Sequence, residues 1–368
     1  MHMFDRDRRQ SVLLTVSQMA EADRLSVVAG VSSFALMSNA GAAVAREIQR
    51  RWTPRPLVVL CGPGNNGGDG FVTAHRLAEA GWPVTLAMWG DPSALKGEAK
   101  QHAQRWQGAV HTLSPAVLEG AELIVDAVFG AGLARALQGP VLETLTAAGR
   151  GNAPIIAIDI PSGVMGDTGE SLGAVAAVLT VTFFRKKPGH LLQPGRALCG
   201  DVVVADIGTP ETVLDTLVPQ TYENHPRLWL SDLPPIATQD RAPRCAGVLP
   251  LDEDEFRQKF AFSGDSLTRT RAAAQSCSRV VVLEGGDTVI AAPDGQAIIN
   301  SNTPSNRAGA SVVSRSIIHG LQAQGMPALS AAAAGMWLHG AAIAEFGPGF
   351  SAQDWPAVLP VLLRGLVN

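Results

Sequence analysis

Asn65, Asn66 and Asp69 crowd several side-chain oxygens into one short glycine-rich stretch, Gly62-Pro63-Gly64-Asn65-Asn66-Gly67-Gly68-Asp69-Gly70. Oxygens in that density suit a hard cation or the polar substituents of a ring better than a bare phosphate cradle. Two more carboxylates interrupt apolar runs: Asp126 within Leu123-Ile124-Val125-Asp126-Ala127-Val128, and Asp159 within Ile155-Ile156-Ala157-Ile158-Asp159-Ile160. A carboxylate in an apolar strand is costly to bury unless it is paired or bound to a cation. Gly130-Ala131-Gly132 follows Asp126, and the turn Pro161-Ser162-Gly163 follows Asp159. Taken singly, Asp126 also fits a structural carboxylate paired with an arginine or a backbone N–H, and Asp159 a turn-capping residue before Pro161.

Each group stands where one element hands over to the next. Residues 57–60 form a short apolar run, while Phe71, Ala74, Leu77 and Ala78 recur at helical spacing, so the Asn/Asp stretch reads as a loop at a helix N-terminus. Gly62, Gly64 and Gly67 satisfy G-x-G-x-x-G, which suggests a nicotinamide-dependent dehydrogenase, but Pro63 and the two asparagines are unusual in a pyrophosphate turn. A dehydrogenase would also need an acidic ribose-binding residue, for which Gly90-Asp91 is only a fair candidate. Residues 16–25, 33–52, 93–106 and 140–148 read as helices, and 83–89, 122–128, 155–160, 178–184 and 201–207 as strands. The alternation predicts an α/β fold, a Rossmann-like doubly wound sheet in three layers (α/β/α) with right-handed crossovers. Ligands of such sheets bind beyond the C-terminal strand ends, where the Asn/Asp stretch, Asp126 with its glycines, and Asp159 with Ser162 all fall. Their coincidence on one rim favours a site over three unrelated structural residues.

With 368 residues the chain is long enough for about two domains, and a net charge of −4 without a basic stripe speaks against nucleic acid and against an anionic membrane surface. The N-terminal residues are too charged for a secretory signal, and the alanine-rich stretch 328–344 reads as a buried helix, not a membrane span. Cys61, Cys199, Cys245 and Cys277 contain no C-x-x-C pair, which suits reduced thiols in a cytoplasmic protein and speaks against disulfides and structural zinc. From about residue 209 to 246 the pattern lapses into a proline-rich connection. Beyond it come a strand at 280–283, a hairpin of 288–292 and 296–300 around Asp294-Gly295, and helices at 312–322 and 326–346.

The N-terminal two-thirds resembles the NAD(P)H-hydrate epimerases. The resemblance rests on Leu36-Met37-Ser38-Asn39-Ala40-Gly41, on the stretch from Gly62 to Gly70, on Val125-Asp126-Ala127-Val128-Phe129-Gly130-Ala131-Gly132-Leu133, on Asp159-Ile160-Pro161-Ser162-Gly163 and on Lys187-Pro188-Gly189-His190. It implies that Asn65, Asn66, Gly67, Gly68, Asp69, Gly130, Ala131, Gly132, Leu133 and Asp159 hold hydrated NADH or NADPH. It further implies potassium bound by Asn66, Asp126 and Ser162, an all-oxygen set suited to a hard cation. Ser38 stands where an acidic residue is common and Ala131 where threonine is usual; Lys187 and His190 are open as phosphate contacts or a solvated basic turn.

The remainder resembles the last part of the ribokinase-like, ADP/ATP-dependent dehydratase that bacteria fuse to this epimerase. The match lies in residues 280–302, in Gly320-Leu321-Gln322-Ala323-Gln324-Gly325 and in Trp337-Leu338-His339-Gly340. About the first half of that domain has no counterpart, Val312 stands where the catalytic aspartate belongs, and Glu284 where lysine is usual. The division implied is an epimerase domain at 1–215, a linker at 216–246 and a truncated, partial ribokinase-like α/β domain at 247–368. The expected activity is an isomerase interconverting the R and S hydrates, with Asp159 as the acid–base carboxylate, the dehydratase lost and the chain a homo-oligomer. The rival expectation is a nucleotide-binding regulatory or scaffold protein whose pocket no longer turns over.

Overall fold

The computed structural model describes residues 8–234, 247–302, 310–347 and 353–367. The chain divides into two units, one of Leu14–Val218 and one combining Met1–Leu13 with Pro219–Asn368.

In chain order the elements are β1 (Val12–Leu13), α1 (Val16–Val28), α2 (Ser33–Arg51), β2 (Leu57–Cys61), α3 (Asn65–Glu79), β3 (Val84–Met88), α4 (Gly97–Ala103), β4 (Val110–Thr112), β5 (Leu123–Ala127), α5 (Gly139–Arg150), β6 (Ile155–Ile158), β7 (Leu179–Phe183) and β8 (Asp201–Ala205). Strands β2 to β8 make one seven-stranded sheet in the order β4-β3-β2-β5-β6-β7-β8, parallel throughout. Both faces are covered, which is why β2, β5, β6 and β7 are buried at every position. Val59, Val125 and Ile156 pack with Val44 and Ile48 of α2 and Phe71 and Leu77 of α3, whereas Val58, Leu60, Ile124 and Ala157 pack with Val141 and Leu145 of α5. Successive strand residues thus serve opposite layers, the three-layer arrangement expected from the sequence. Each such buried aliphatic side chain contributes roughly 1.5–3 kcal/mol over an exposed one.

The helix expected over 93–106 is two pieces. A 3-10 turn, Pro92–Ala94, is capped by Asp91, and α4 starts only at Gly97, whose φ of +54 breaks the run. Strand β4, exposed along its length at the sheet edge, has no apolar pattern from which it could be read.

The second unit draws on residues that the sequence reading assigned elsewhere. Its six-stranded mixed sheet runs β1-β9-β13-β12-β11-β10, with β9 (Thr221–Glu223), β10 (Val248–Asp252), β11 (Val280–Glu284), β12 (Thr288–Ala291) and β13 (Ala297–Ile299). Strand β1, from the segment given to the first domain, and β9, from the supposed linker, pair with each other, and β9 pairs with β13. The β12–β13 hairpin forms as expected. Helices α6 (Glu253–Lys259), α7 (Ser266–Cys277), α8 (Ala310–Ala323), α9 (Ala328–Phe346) and α10 (Trp355–Val367) complete it. Trp229, fully buried, joins the alanine face of α9 in the core and donates its indole N–H to Asn224 Oδ1 at 3.1 Å. Among the described residues no helix is long and apolar enough to cross a membrane.

Candidate active site

Helix α3 begins at Asn65, directly after its Gly64 N-cap, so the Asn/Asp stretch opens a helix and is not a loop. Packing explains the difference. A Cβ on Gly62 would lie 1.9 Å from the Val128 carbonyl oxygen, and one on Gly67 1.9 Å from that of Gly62. Strand end, helix start and the turn after β5 meet backbone to backbone, which only glycine permits. Two glycines of the G-x-G-x-x-G spacing are therefore requirements of the fold. Asp91 is likewise spent locally, its carboxylate accepting from Ser93 N–H at 2.8 Å and Oγ at 2.7 Å.

A pocket of about 840 Å³ opens at the C-terminal strand ends of this sheet. It is lined by Asn65, Asn66, Asp69, Gly130, Ala131, Gly132, Leu133 and Asp159, eight of the ten residues expected to hold a nucleotide. Gly67 and Gly68 are packed within the protein instead; a Cβ on Gly68 would sit 2.6 Å from Met37 Sδ.

Asp126 lies wholly inside β5. Its carboxylate accepts from Ser162 N–H at 2.8 Å, Ser162 Oγ at 2.6 Å and Val128 N–H at 3.2 Å, while Ser162 Oγ accepts from Phe129 N–H at 2.8 Å. Burial raises its pKa despite these bonds. The partners the structure supplies are neutral donors, so its charge has no side-chain counter-ion in this network. Asn66, also nearly buried, leaves its Nδ2 without a hydrogen-bond partner. Among the described residues no three His, Cys, Asp or Glu side chains gather as a metal site.

Asp159 ends β6 in the left-handed region, φ +67, a conformation rare outside glycine and tolerated best by Asp and Asn. Every polar atom it carries is engaged. Its N–H donates to the Val181 carbonyl at 2.8 Å, and its own carbonyl lies 2.8 Å from His190 Nε2. Oδ1 accepts from Lys187 Nζ at 2.5 Å and Thr182 Oγ1 at 3.0 Å, and Oδ2 from Ala131 N–H at 2.9 Å. The contact at position 131 is thus made by the backbone. Burial by itself would raise the Asp159 pKa, but the Lys187 charge and hydrogen bond, helped by Ala131, hold it down to about 2.

Lys187 and His190, read as possible phosphate contacts, both turn to Asp159. His190 is buried, and its Nδ1 accepts from Lys187 N–H at 2.9 Å, which leaves Nε2 to carry the proton. Burial and the neighbouring Lys187 lower its pKa to about 4. Asp69, Asp23 and Glu98 also face the pocket. Burial, reinforced by Asp159 and Asp23, holds the Asp69 carboxyl well above its ordinary range. Asp23, on α1, is an exposed residue at the pocket wall, and partial burial of its carboxyl, opposed by Lys187 and aided by Asp159, raises it to about 6. Nothing in the sequence marks Asp23: it stands between Glu21 and Arg24, which pair with each other at 2.6 Å on an exposed helix face.

The arrangement defines a doubly wound α/β domain with a carboxylate-rich ligand pocket at its strand ends. A family model described as YjeF-related protein N-terminus matches residues 33–189, and one described as NAD(P)H-hydrate dehydratase matches residues 238–363, reaching into the stretch read as linker. An NAD(P)H-hydrate epimerase of Rhodobacter capsulatus is 40% identical over 213 residues, covering 53% of this chain and 98% of that protein. One of Limosilactobacillus reuteri is 38% identical over 204 residues, 54% of this chain and 96% of that protein. The bifunctional NAD(P)H-hydrate repair enzyme Nnr of Coxiella burnetii is 37% identical over 207 residues, 55% of this chain but only 42% of that protein. The chain belongs to the NAD(P)H-hydrate epimerase family and carries, after that domain, a segment of the dehydratase family.

Proposed function

We propose that the pocket epimerises the R and S forms of hydrated NADH and NADPH, with Asp159 as a fixed anion and Asp69 as the proton carrier. The hydroxylated ring carbon is bonded to the ring nitrogen, whose lone pair can expel the hydroxyl once that oxygen is protonated. A planar iminium results, and water returning to either face restores one or the other epimer. Ring-opening at the same carbon would call on the same groups. A single carboxylate cycling between forms is the simplest catalyst, but the Lys187 charge and hydrogen bond keep Asp159 ionised at pH 7. Its fitting role is a fixed anion that stabilises the iminium, while the proton lost by the returning water goes back to the carboxylate that protonated the departing hydroxyl, so that the catalyst is restored. Asp69, kept toward its neutral form by burial beside Asp159, is the fitting donor to the departing hydroxyl. The observation that carries the reading is this pairing of a pinned carboxylate with a buried carboxyl in one pocket.

The residues present fit a monovalent cation. Asp126 is a buried carboxylate with only neutral donors, Ser162 Oγ is beside it, and the Asn66 amide has an end without a partner; turning that amide directs its oxygen inward. Asn66, Asp126 and Ser162 would hold potassium, which would supply the counter-charge that Asp126 lacks. The reading places the enzyme in the cytoplasm, consistent with buried, unpaired Cys61 and Cys199.

For the second unit we propose that dehydratase activity is lost. Val312 is 65% exposed on the first turn of α8 and cannot accept a proton. Glu284, at the end of β11, is a buried acid whose oxygens accept from Ser314 Oγ at 3.2 and 3.1 Å, a poor neighbour for phosphate. Ala308 and Gly309, which precede α8 in the chain, lie outside the described residues.

The test mixes purified protein with the R hydrate and an S-specific dehydratase and follows recovery of the reduced dinucleotide. Faster recovery than with the dehydratase alone is expected, and Asp159→Asn should slow it by about a hundredfold or more. Recovery at the uncatalysed rate would overturn the epimerase reading in favour of a silent nucleotide-binding protein.

A further inference from the structure

A second cavity, of about 230 Å³, lies between α2, α3 and the end of α4 with Arg105 just beyond it. A liquid water occupies ~30 Å³, so the space holds several waters or one small ion with part of its shell. Its charged lining is Arg76 and Arg105 against a single acid, Glu79. Glu79 is already taken, by Arg76 at 3.2 Å and by His75 Nε2 at 3.4 Å. Among the described residues Arg105 has no carboxylate partner; its guanidinium lies over the Phe34 ring, 4.6 Å from the centroid.

Under that ring sits His102, stacked on Phe34 at 4.1 Å and only 5% exposed, with Ser38 Oγ 3.4 Å from its Nε2. Burial, together with Arg105 and Arg76 and against the Phe34 carbonyl and Glu98, lowers its pKa and keeps the ring neutral. The cavity therefore offers one guanidinium without a carboxylate, Arg105, a second shared with Glu79, Arg76, and a buried imidazole that can gain a proton.

We propose that this cavity is a second ligand site, for a small oxyanion such as a phosphate or carboxylate group, and that its occupancy is felt in the main pocket. Guanidinium forks match such groups in charge and geometry. An anion between Arg76 and Arg105 also favours protonation of His102, so binding tightens as pH falls through the histidine range. The route to the main pocket is short because the same helices line both. Leu36 and Met37 of α2, Asn65 and Asp69 of α3 and Glu98 of α4 face the larger space. The helices are in close contact: a Cβ on Gly68 would meet Met37 Sδ at 2.6 Å and Ala99 Cα at 3.0 Å, and one on Gly41 would meet the Asp69 carbonyl at 2.6 Å. Close-packed interiors transmit strain, so α4 cannot shift without disturbing Met37 or the Gly68–Asp69 backbone.

The experiment titrates the full chain, labelled at histidine rings and methionine methyl groups, with inorganic phosphate and separately with malonate at fixed ionic strength. His102→Gln and Met37→Leu assign the two reporter signals. A saturable His102 shift in the millimolar range, about tenfold weaker in Arg105→Gln and stronger at pH 6 than at pH 8, is expected. Response to phosphate alone defines a phosphate site, and response to both a general oxyanion site. A Met37 methyl shift on the same curve is the expected sign of coupling. No saturable His102 shift with either anion, or equal affinity in Arg105→Gln, overturns the site; a His102 curve with a silent Met37 overturns the coupling. None of these readouts depends on epimerase turnover.

Discussion

Replacing Lys187 with Met removes the cation bonded to Asp159 and keeps most of the volume of the buried stem. The two side chains are 4% and 16% exposed, so solvent screens the pair weakly. Asp159 titrates at about 2 in the folded protein against an ordinary 3.8. At ~1.4 kcal/mol for each pH unit, that depression corresponds to about 2 kcal/mol of native-state preference for the ionised form. Losing the lysine costs more, because burial then acts on an unpaired carboxylate; broken buried pairs typically cost roughly 3–5 kcal/mol. Because the folded pKa lies below the unfolded one, the stabilisation is complete above about pH 4 and fades as pH falls toward 2. Urea unfolding of Lys187→Met should therefore show a deficit of about 3–5 kcal/mol at pH 7 that narrows as pH falls below about 4 toward 2, once a protonated Asp159 no longer needs a partner. The variant's kcat/KM should also acquire an acidic limb at higher pH than in the parent protein. Equal stability at pH 7, or a deficit that does not change with pH, would refute the assignment of Lys187 as the group that keeps Asp159 ionised.

Asp69→Asn should lower kcat about a hundredfold or more with substrate affinity within a few-fold, measured by single turnover and by titration; undiminished turnover would move the proton donor elsewhere, with Asp23 the next group to test. Gly130→Ala should cost roughly tenfold in kcat/KM at an unchanged Tm, since the added Cβ lies 3.0 Å from Asp159 Oδ2 and 3.3 Å from Asn66 Oδ1; normal activity would show that these two side chains need no fixed spacing. Potassium should raise the Tm above that in a large organic cation, and Asp126→Ala should abolish the difference; a Tm blind to the cation would remove the site. Given S hydrate with ATP or ADP and magnesium, the protein should release neither phosphate nor reduced dinucleotide, and turnover above the uncatalysed rate would restore a bifunctional reading.

The first sheet was readable because its inner strands are mainly apolar and each site residue lies in or just after one of them: Asn66 after β2, Asp126 inside β5, Asp159 after β6. What escaped was set by three-dimensional contact. Gly62 and Gly67 look like a phosphate loop until the carbonyls beside them are seen, and nothing in Lys187-Pro188-Gly189-His190 shows that both basic side chains fold back on Asp159. In the second unit β1 and β9 are two and three residues long, too short to carry a period, and become strands only by pairing with each other and with β13. Pro250 inside β10 disguises a strand that lies at the sheet edge, the one place where a missing N–H is tolerated.

The backbone at Asp159 bears directly on its role. A left-handed conformation at a non-glycine residue costs on the order of 1–3 kcal/mol and persists only where the surroundings over-determine it. Here they do, with bonds from Val181, His190, Lys187, Thr182 and Ala131 converging on four atoms of one residue. A group meant to carry protons back and forth gains nothing from such confinement, since each transfer would break bonds to Lys187 or Ala131. A group meant to present a constant negative charge to a cation formed on the substrate gains directly, because its orientation is already fixed when the charge develops. Proton movement then falls to a neighbour whose environment is less committed. Asp69 meets that description, its pKa raised by burial and by the Asp159 charge itself, so the feature that withdraws one carboxylate from proton traffic is also what prepares the other for it.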